Sequence, residues 1–64
     1  MKSEYRGYKP GDRIEIIHME DSQAVPDGTK GTIDHIDDIG QLHMKWDNGR
    51  SLAVNLNVDL IRKI

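Results

Sequence analysis

The stretch that decides the fold is residues 37–54, DDIGQLHMKWDNGRSLAV, because it holds one alternating strand between two turn signals. From Gln41 to Trp46, polar and apolar side chains alternate, which predicts a half-buried β-strand. An Asp-x-Gly sequence precedes this strand at 38–40, and another follows it at 47–49. Glycine at the third loop position readily adopts the left-handed conformation that three-residue hairpin loops require. We therefore predict a strand with a hairpin at each end.

The register of the second hairpin can be predicted by matching the apolar faces of its two strands. A two-residue turn at 48–49 would set Met44 opposite Ala53, so the apolar side chains of the two strands would lie on opposite faces. A three-residue loop at 47–49 keeps them on one face. The pairs it predicts are Trp46–Arg50, Met44–Leu52 and Leu42–Val54.

The first hairpin is registered in the same way. With a three-residue loop at 38–40, the predicted pairs are Ile36–Leu42 and His35–His43. Ile33 is then out of phase and needs one β-bulge before Ile36 to point into the core. The two histidines are expected to face each other on the outer surface.

Turn signals recur every 8–12 residues or so along the rest of the chain, and no helical periodicity extends over ten residues. Besides the central strand, strands are predicted at Arg13–His18, Thr29–Asp37, Arg50–Val54 and Leu60–Ile64. These five strands indicate an all-β fold, and in a chain this short a small closed barrel removes exposed edges without needing more strands. We expect residues 1–9 to be a flexible N-terminal tail and residues 10–64 to form a single barrel domain.

Composition narrows the class of protein. The chain has 64 residues, 36% of them hydrophobic, with no phenylalanine and no cysteine, so the core must be aliphatic with help from Trp46. The missing cysteines exclude disulfides and favour a reducing cytoplasm. No run approaches the roughly 20 apolar residues of a membrane span, so we expect no membrane association.

Catalysis and cofactors are not expected. The serines have no plausible triad around them, and the glycines mark turns without forming a phosphate loop ahead of a helix. His35 and His43 are near enough across the strands to share an ion, but a structural zinc site needs four ligands. Solvated histidines are the better interpretation of this pair, so we predict no metal site. Because the sequence offers no triad and no phosphate loop, we also predict no enzyme activity.

The binding hypotheses use two sets of residues. Net charge is −2, which favours a protein partner over nucleic acid. We expect a monomer or a weak homodimer, since self-association would add buried area to so small a core. The candidates for protein contact are Trp46, Arg50, His35, His43, Asp37 and Asp38. The candidates for nucleic-acid contact, from the basic and aromatic N-terminal region, are Tyr5, Arg6, Tyr8, Lys9 and Arg13.

Several strings carry a family resemblance over residues 10–64: Gly11-Asp12-Arg13-Ile14, Pro26-Asp27-Gly28-Thr29-Lys30-Gly31-Thr32-Ile33, Asp37-Asp38-Ile39-Gly40 and Trp46-Asp47-Asn48-Gly49. In this order they resemble the bacterial and phage family called domain of unknown function 4314, which implies an SH3-like barrel found in mobile elements and no established activity. The chain is also similar to Mib/Herc2 domains, which implies peptide recognition. The stretch 28–33 resembles the KOW motif, which implies a nucleic-acid-associated module.

Overall fold

The computed structural model describes residues 2–64. Five strands form where polar and apolar residues alternate or where β-branched residues are frequent. The strands are β1 (Arg13–His18), β2 (Lys30–Ile36), β3 (Gln41–Trp46), β4 (Val54–Asn55) and β5 (Leu60–Lys63). No helix occurs within residues 2–64. The predicted all-β class is therefore confirmed.

The strands form one antiparallel sheet in the order β4-β3-β2-β1-β5, so β4 and β5 are its edges. A flat sheet of five strands would hold its edges about 19 Å apart, at about 4.8 Å per step. Here the turn between the edge strands is closed by a 2.8 Å hydrogen bond from the Asp59 amide to the Asn55 carbonyl. The sheet must therefore curl strongly. No ladder joins β4 to β5 within the described residues, so the sheet is open.

Both predicted hairpin loops are confirmed. The Gly49 amide donates to the Trp46 carbonyl (2.9 Å) and the Trp46 amide donates to the Arg50 carbonyl (3.0 Å), and Gly49 has φ +89°. In the other hairpin, residues 35 and 36 pair with residues 43 and 42, and a β-bulge lies between Ile33 and His35. The predicted contacts Trp46–Arg50, Ile36–Leu42 and His35–His43 are therefore all observed at the two ends of β3.

The prediction for the fourth strand is wrong in extent. Residues 50–53 lie outside any strand, and the register of β4 contains Leu42–Val54 but no Met44–Leu52 pair. The indole Nε1 of Trp46 donates to the Leu52 carbonyl at 2.8 Å. Because that carbonyl serves the tryptophan side chain, residues 50–53 do not continue the ladder, and Leu52 is only half-buried.

The core lies on the concave face of the sheet. Its buried members are Ile14, Ile16, Met19, Val25, Ile33, Ile36, Leu42, Met44, Trp46 and Val54. Met19 and Val25 come from the polar connection 19–28, for which no element was predicted. Asp59 links that connection to β4, because its two carboxylate oxygens accept hydrogen bonds from the amides of Glu20 (3.0 Å) and Asn55 (2.9 Å).

The N-terminal segment makes specific contacts with the sheet. The Lys2 amide donates to the Ile36 carbonyl at 2.8 Å, and the half-buried rings of Tyr5 and Tyr8 pack against the core. Tyr5 and Tyr8 exchange two backbone hydrogen bonds around a turn in which Arg6 has φ +53° and Gly7 has φ +85°. Both positive values indicate a type I′ hairpin turn. The domain boundary at residue 10 and the flexibility of this segment stay predictions.

Candidate functional site

The first candidate surface is the histidine pair on the outer face of β2 and β3. His35 and His43 stack with ring centroids 4.2 Å apart and planes 7° from parallel. His35 Nδ1 lies 2.8 Å from Asp34, and His43 Nε2 lies 2.8 Å from Asp37. Within residues 2–64, no three side chains of the ligating types are grouped to hold a metal ion.

Asp37 supports the hairpin turn as well as the histidine. One carboxylate oxygen accepts hydrogen bonds from the amides of Ile39 (3.1 Å) and Gln41 (2.9 Å), and the other faces His43. The hydrogen bond to His43, followed by those from the amides, holds the pKa of Asp37 below its ordinary value. The hydrogen bond to His35 lowers the pKa of Asp34 in the same way. The polar groups of this surface are thus largely used by one another.

The remaining predicted protein contacts are separated from the histidines. Trp46 is 3% exposed and lies in the core, so it offers no surface to a partner in this structure. Its burial follows from the alternation that makes it a neighbour of Leu42 and Met44. Arg50 is exposed, and its guanidinium donates to the carbonyls of Gln23 and Ala24, which ties the connection 19–28 to the second hairpin. Asp38 is exposed in the first hairpin turn.

The basic residues predicted for nucleic-acid contact have partners within the protein. Lys2 and Arg6 lie over the ring of Tyr5, at 5.7 and 5.1 Å from its centroid. Arg6 also donates to the Asn57 side chain at 2.8 Å. These cations occupy the ring on which a base would stack.

The other basic residues of that set have carboxylate partners. Lys9 Nζ is 3.2 Å from Asp12, and Arg13 forms a bidentate pair with Asp47 at 2.8 and 2.7 Å. The hydrogen bond from Arg13 lowers the pKa of Asp47, which keeps this pair ionised. A phosphate would have to compete with these carboxylates for each cation.

Sequence reasoning missed a surface at the β5 edge. Four large apolar side chains are about half exposed or more there: Ile17 (49%), Val58 (52%), Leu60 (60%) and Ile64 (49%). Ile17 sits at an irregularity in β1, between the pairs Ile16–Ile61 and His18–Leu60. The signal was present as the neighbouring apolar residues Ile16-Ile17 and Leu60-Ile61, because one member of each pair must point outward in a strand.

The backbone of β5 is unpaired on its outer side. The Ile64 amide donates to the Arg13 carbonyl at 3.0 Å. Backbone groups alternate along an antiparallel strand, so those of Ile61 and Lys63 point away from β1. No backbone hydrogen bond from that side of β5 occurs within residues 2–64. We call this unpaired backbone and the four apolar side chains the β5 edge surface.

Comparison with known proteins identifies the family of this chain. Residues 1–64 match the family described as Domain of unknown function (DUF4314). The chain belongs to that family. No curated protein and no solved structure matches the chain. Among residues 2–64 the structure has no helix able to cross a membrane.

Proposed function

We propose that this family member is a non-catalytic binding module, built on an SH3-like barrel, that contacts another protein through the β5 edge surface. The sheet order supports the barrel, since the first strand lies between β2 and β5. The curl that brings Asn55 and Asp59 together supports it as well. This proposal replaces the contact residues expected from the sequence, which lie at the two hairpins of β3, with the four exposed apolar residues Ile17, Val58, Leu60 and Ile64.

The observation that carries the proposal is the exposure of apolar side chains beside an unpaired strand edge. Proteins usually protect such an edge with charges, bulges or a covering element, because it is a template for pairing with another chain. Here β5 carries the basic residues Arg62 and Lys63, yet Leu60, beside the outward-pointing backbone of Ile61, is 60% exposed, and Ile17 on β1 is 49% exposed. An extended segment can add to such an edge by main-chain hydrogen bonds, while alternate side chains supply specificity.

The nucleic-acid alternative has less support. Its tyrosine ring at residue 5 is covered by the protein's own cations, and Lys9 and Arg13 have carboxylate partners. A polyanion binds by releasing counterions from free cations, and each internal pair reduces that gain. We therefore place the protein partner first.

The test is a cross-linked pull-down of the tagged whole chain from the cells that make it. Two variants each remove one exposed apolar side chain without changing charge: Leu60→Ser at the edge, and Ile39→Ser at the hairpin tip, where Ile39 is 77% exposed. A protein captured by the wild type and by Ile39→Ser, but lost with Leu60→Ser, supports the proposal. Equal capture by all three proteins refutes it, as does loss with Ile39→Ser alone.

A further inference from the structure

Basic side chains lie on one part of β5. The exposed Arg62 is 2.5 Å from Glu15, and Lys63 is 3.2 Å from Asp12. Two carboxylates, Glu20 and Asp27, lie near the start of the strand, at 3.4 and 3.5 Å from His18, which pairs with Leu60. The positive charge is therefore confined to residues 62–63.

We propose that the segment that pairs with β5 carries an acidic residue between two apolar ones, at alternate positions on its outer face. This inference rests on the proposed function and specifies the chemistry of its partner. The outer face of β5 presents Leu60, Arg62 and Ile64 in that order, all exposed. Directly opposed side chains on neighbouring strands have their Cβ atoms about 4.5–5.5 Å apart, so opposite charges there stabilise the pairing and like charges destabilise it.

A second copy of this chain is a poor occupant of the same edge. If β5 paired antiparallel with its own copy so that residues 60–64 aligned in full, Arg62 would lie directly opposite Arg62 of the other copy. Such pairs repel across a sheet, and basic residues on edge strands are a common protection against self-association. The fully aligned homodimer is therefore disfavoured, whereas an acidic residue opposite Arg62 would stabilise the pairing.

Arg62 is the residue best placed to bind the acidic side chain of the partner segment. Its guanidinium uses Nε to hold Glu15, and its side chain is 62% exposed. The hydrogen bond from Arg62 holds the pKa of Glu15 below its ordinary value, so the pair is ionised at neutral pH. Arginine offers five N–H groups, so the remaining ones can serve a second carboxylate.

The experiment uses two synthetic peptides, T-V-T-E-T-V-T and its matched lysine version T-V-T-K-T-V-T, titrated into the whole chain at low ionic strength. Amide chemical shifts report both the affinity and the place of binding. We expect the glutamate peptide to bind about 2- to 30-fold more tightly, with the largest shifts at Ile61 and Lys63. Arg62→Glu should reverse the preference. Lys45→Glu, which makes the same charge change on β3, where Lys45 is 77% exposed, should leave it intact.

Each outcome decides the inference. Equal affinity for the two peptides, with shifts at β5, overturns the acidic partner and leaves the edge-binding function standing. Binding by neither peptide at millimolar concentration overturns the inference as well, and the function is then judged by the pull-down alone. A homodimer with β5 at its interface, detected by sedimentation and shift mapping, also refutes the inference.

Discussion

Replacing Gly40 with alanine should destabilise the protein more than the same replacement at Gly49, because only Gly40 lies against the ring of Tyr5. Both glycines occupy the last position of a three-residue hairpin loop, with φ +86° at Gly40 and +89° at Gly49. A Cβ atom at Gly40 would stand 2.7 Å from two ring carbons of Tyr5, whereas one at Gly49 would meet nothing within 4 Å. The two variants are therefore matched in backbone strain and differ in one contact.

Two contributions determine how much free energy of unfolding Gly40→Ala should lose. Left-handed backbone costs a residue with a Cβ atom about 1–2 kcal/mol, and this applies to both variants. Forcing an extra methyl group into a packed contact costs about 1–3 kcal/mol more, at Gly40 only. That second contribution has a ceiling, because the N-terminal segment can leave the sheet once its displacement costs less than the clash. The excess at Gly40 thus gives a lower bound on the free energy that holds Tyr5 in place.

The assay is urea unfolding of the wild type and both variants, with the same concentration of a stabilising osmolyte throughout. A domain of this size has only about 3–5 kcal/mol to lose, which makes the osmolyte necessary. In thermal melts, each kcal/mol should lower the midpoint by about 4–8 °C. In a Tyr5→Ala background, the cost of Gly40→Ala should fall to that of Gly49→Ala.

Equal destabilisation by Gly40→Ala and Gly49→Ala in the wild-type background would refute this reasoning. It would mean that residues 2–9 spend their time away from the sheet, as a flexible tail does. Hydrogen exchange at the Lys2 amide, which donates to the Ile36 carbonyl at 2.8 Å, checks the same point independently.

Four further measurements test other parts of the structure. Met44→Ala should cost about 2–5 kcal/mol in urea unfolding, but Leu52→Ala only about 1–2, because Leu52 is half-buried. Asp59→Ala should cost at least about 2 kcal/mol, since it leaves two amides without their acceptor. A carboxyl group with a lowered pKa stabilises the fold above its unfolded pKa, and that stability is lost as pH falls through its folded pKa. Acidification from about pH 5 towards 2 should therefore destabilise the wild type more than Asp37→Asn. Fluorescence anisotropy with labelled DNA and RNA should show no binding tighter than about 100 μM at physiological salt.

Each of these has an outcome that would contradict it. If Met44→Ala and Leu52→Ala lowered the free energy of unfolding equally, Leu52 would be packed as deeply as Met44, as the predicted Met44–Leu52 pair requires. Asp59→Asn keeps one acceptor oxygen, so it should fall between Ala and the wild type, and no loss in either variant would mean that water replaces the carboxylate. Parallel pH profiles would show that the Asp37 hydrogen bonds persist on unfolding or add nothing. Micromolar nucleic-acid binding that disappears on deletion of residues 1–9 would bring the basic N-terminal region back as the functional site.

The local parts of the fold could be predicted because they depend on neighbours in sequence. A side-chain period of two, together with glycine at the third loop position, was enough to register both hairpins of β3 and to require the bulge after Ile33. The histidine pair followed from the same register. The prediction for residues 50–53 was wrong because a side chain bonds there: the indole of Trp46 donates to the Leu52 carbonyl, six residues along the chain. Alternation along the strand contains no information about that bond.

The sequence by itself therefore determined the all-β class, four of the five strand regions, the aliphatic core around Trp46 and the membership of the family. Only the tertiary structure decided that β5 pairs with β1, that Met19 and Val25 join the core, and that Tyr5 packs on Gly40. It also decided which apolar residue of Ile16-Ile17 and of Leu60-Ile61 faces outward. The physical reason is that strand pairing and burial between distant segments depend on the total area removed from water. No window of a few residues contains that quantity.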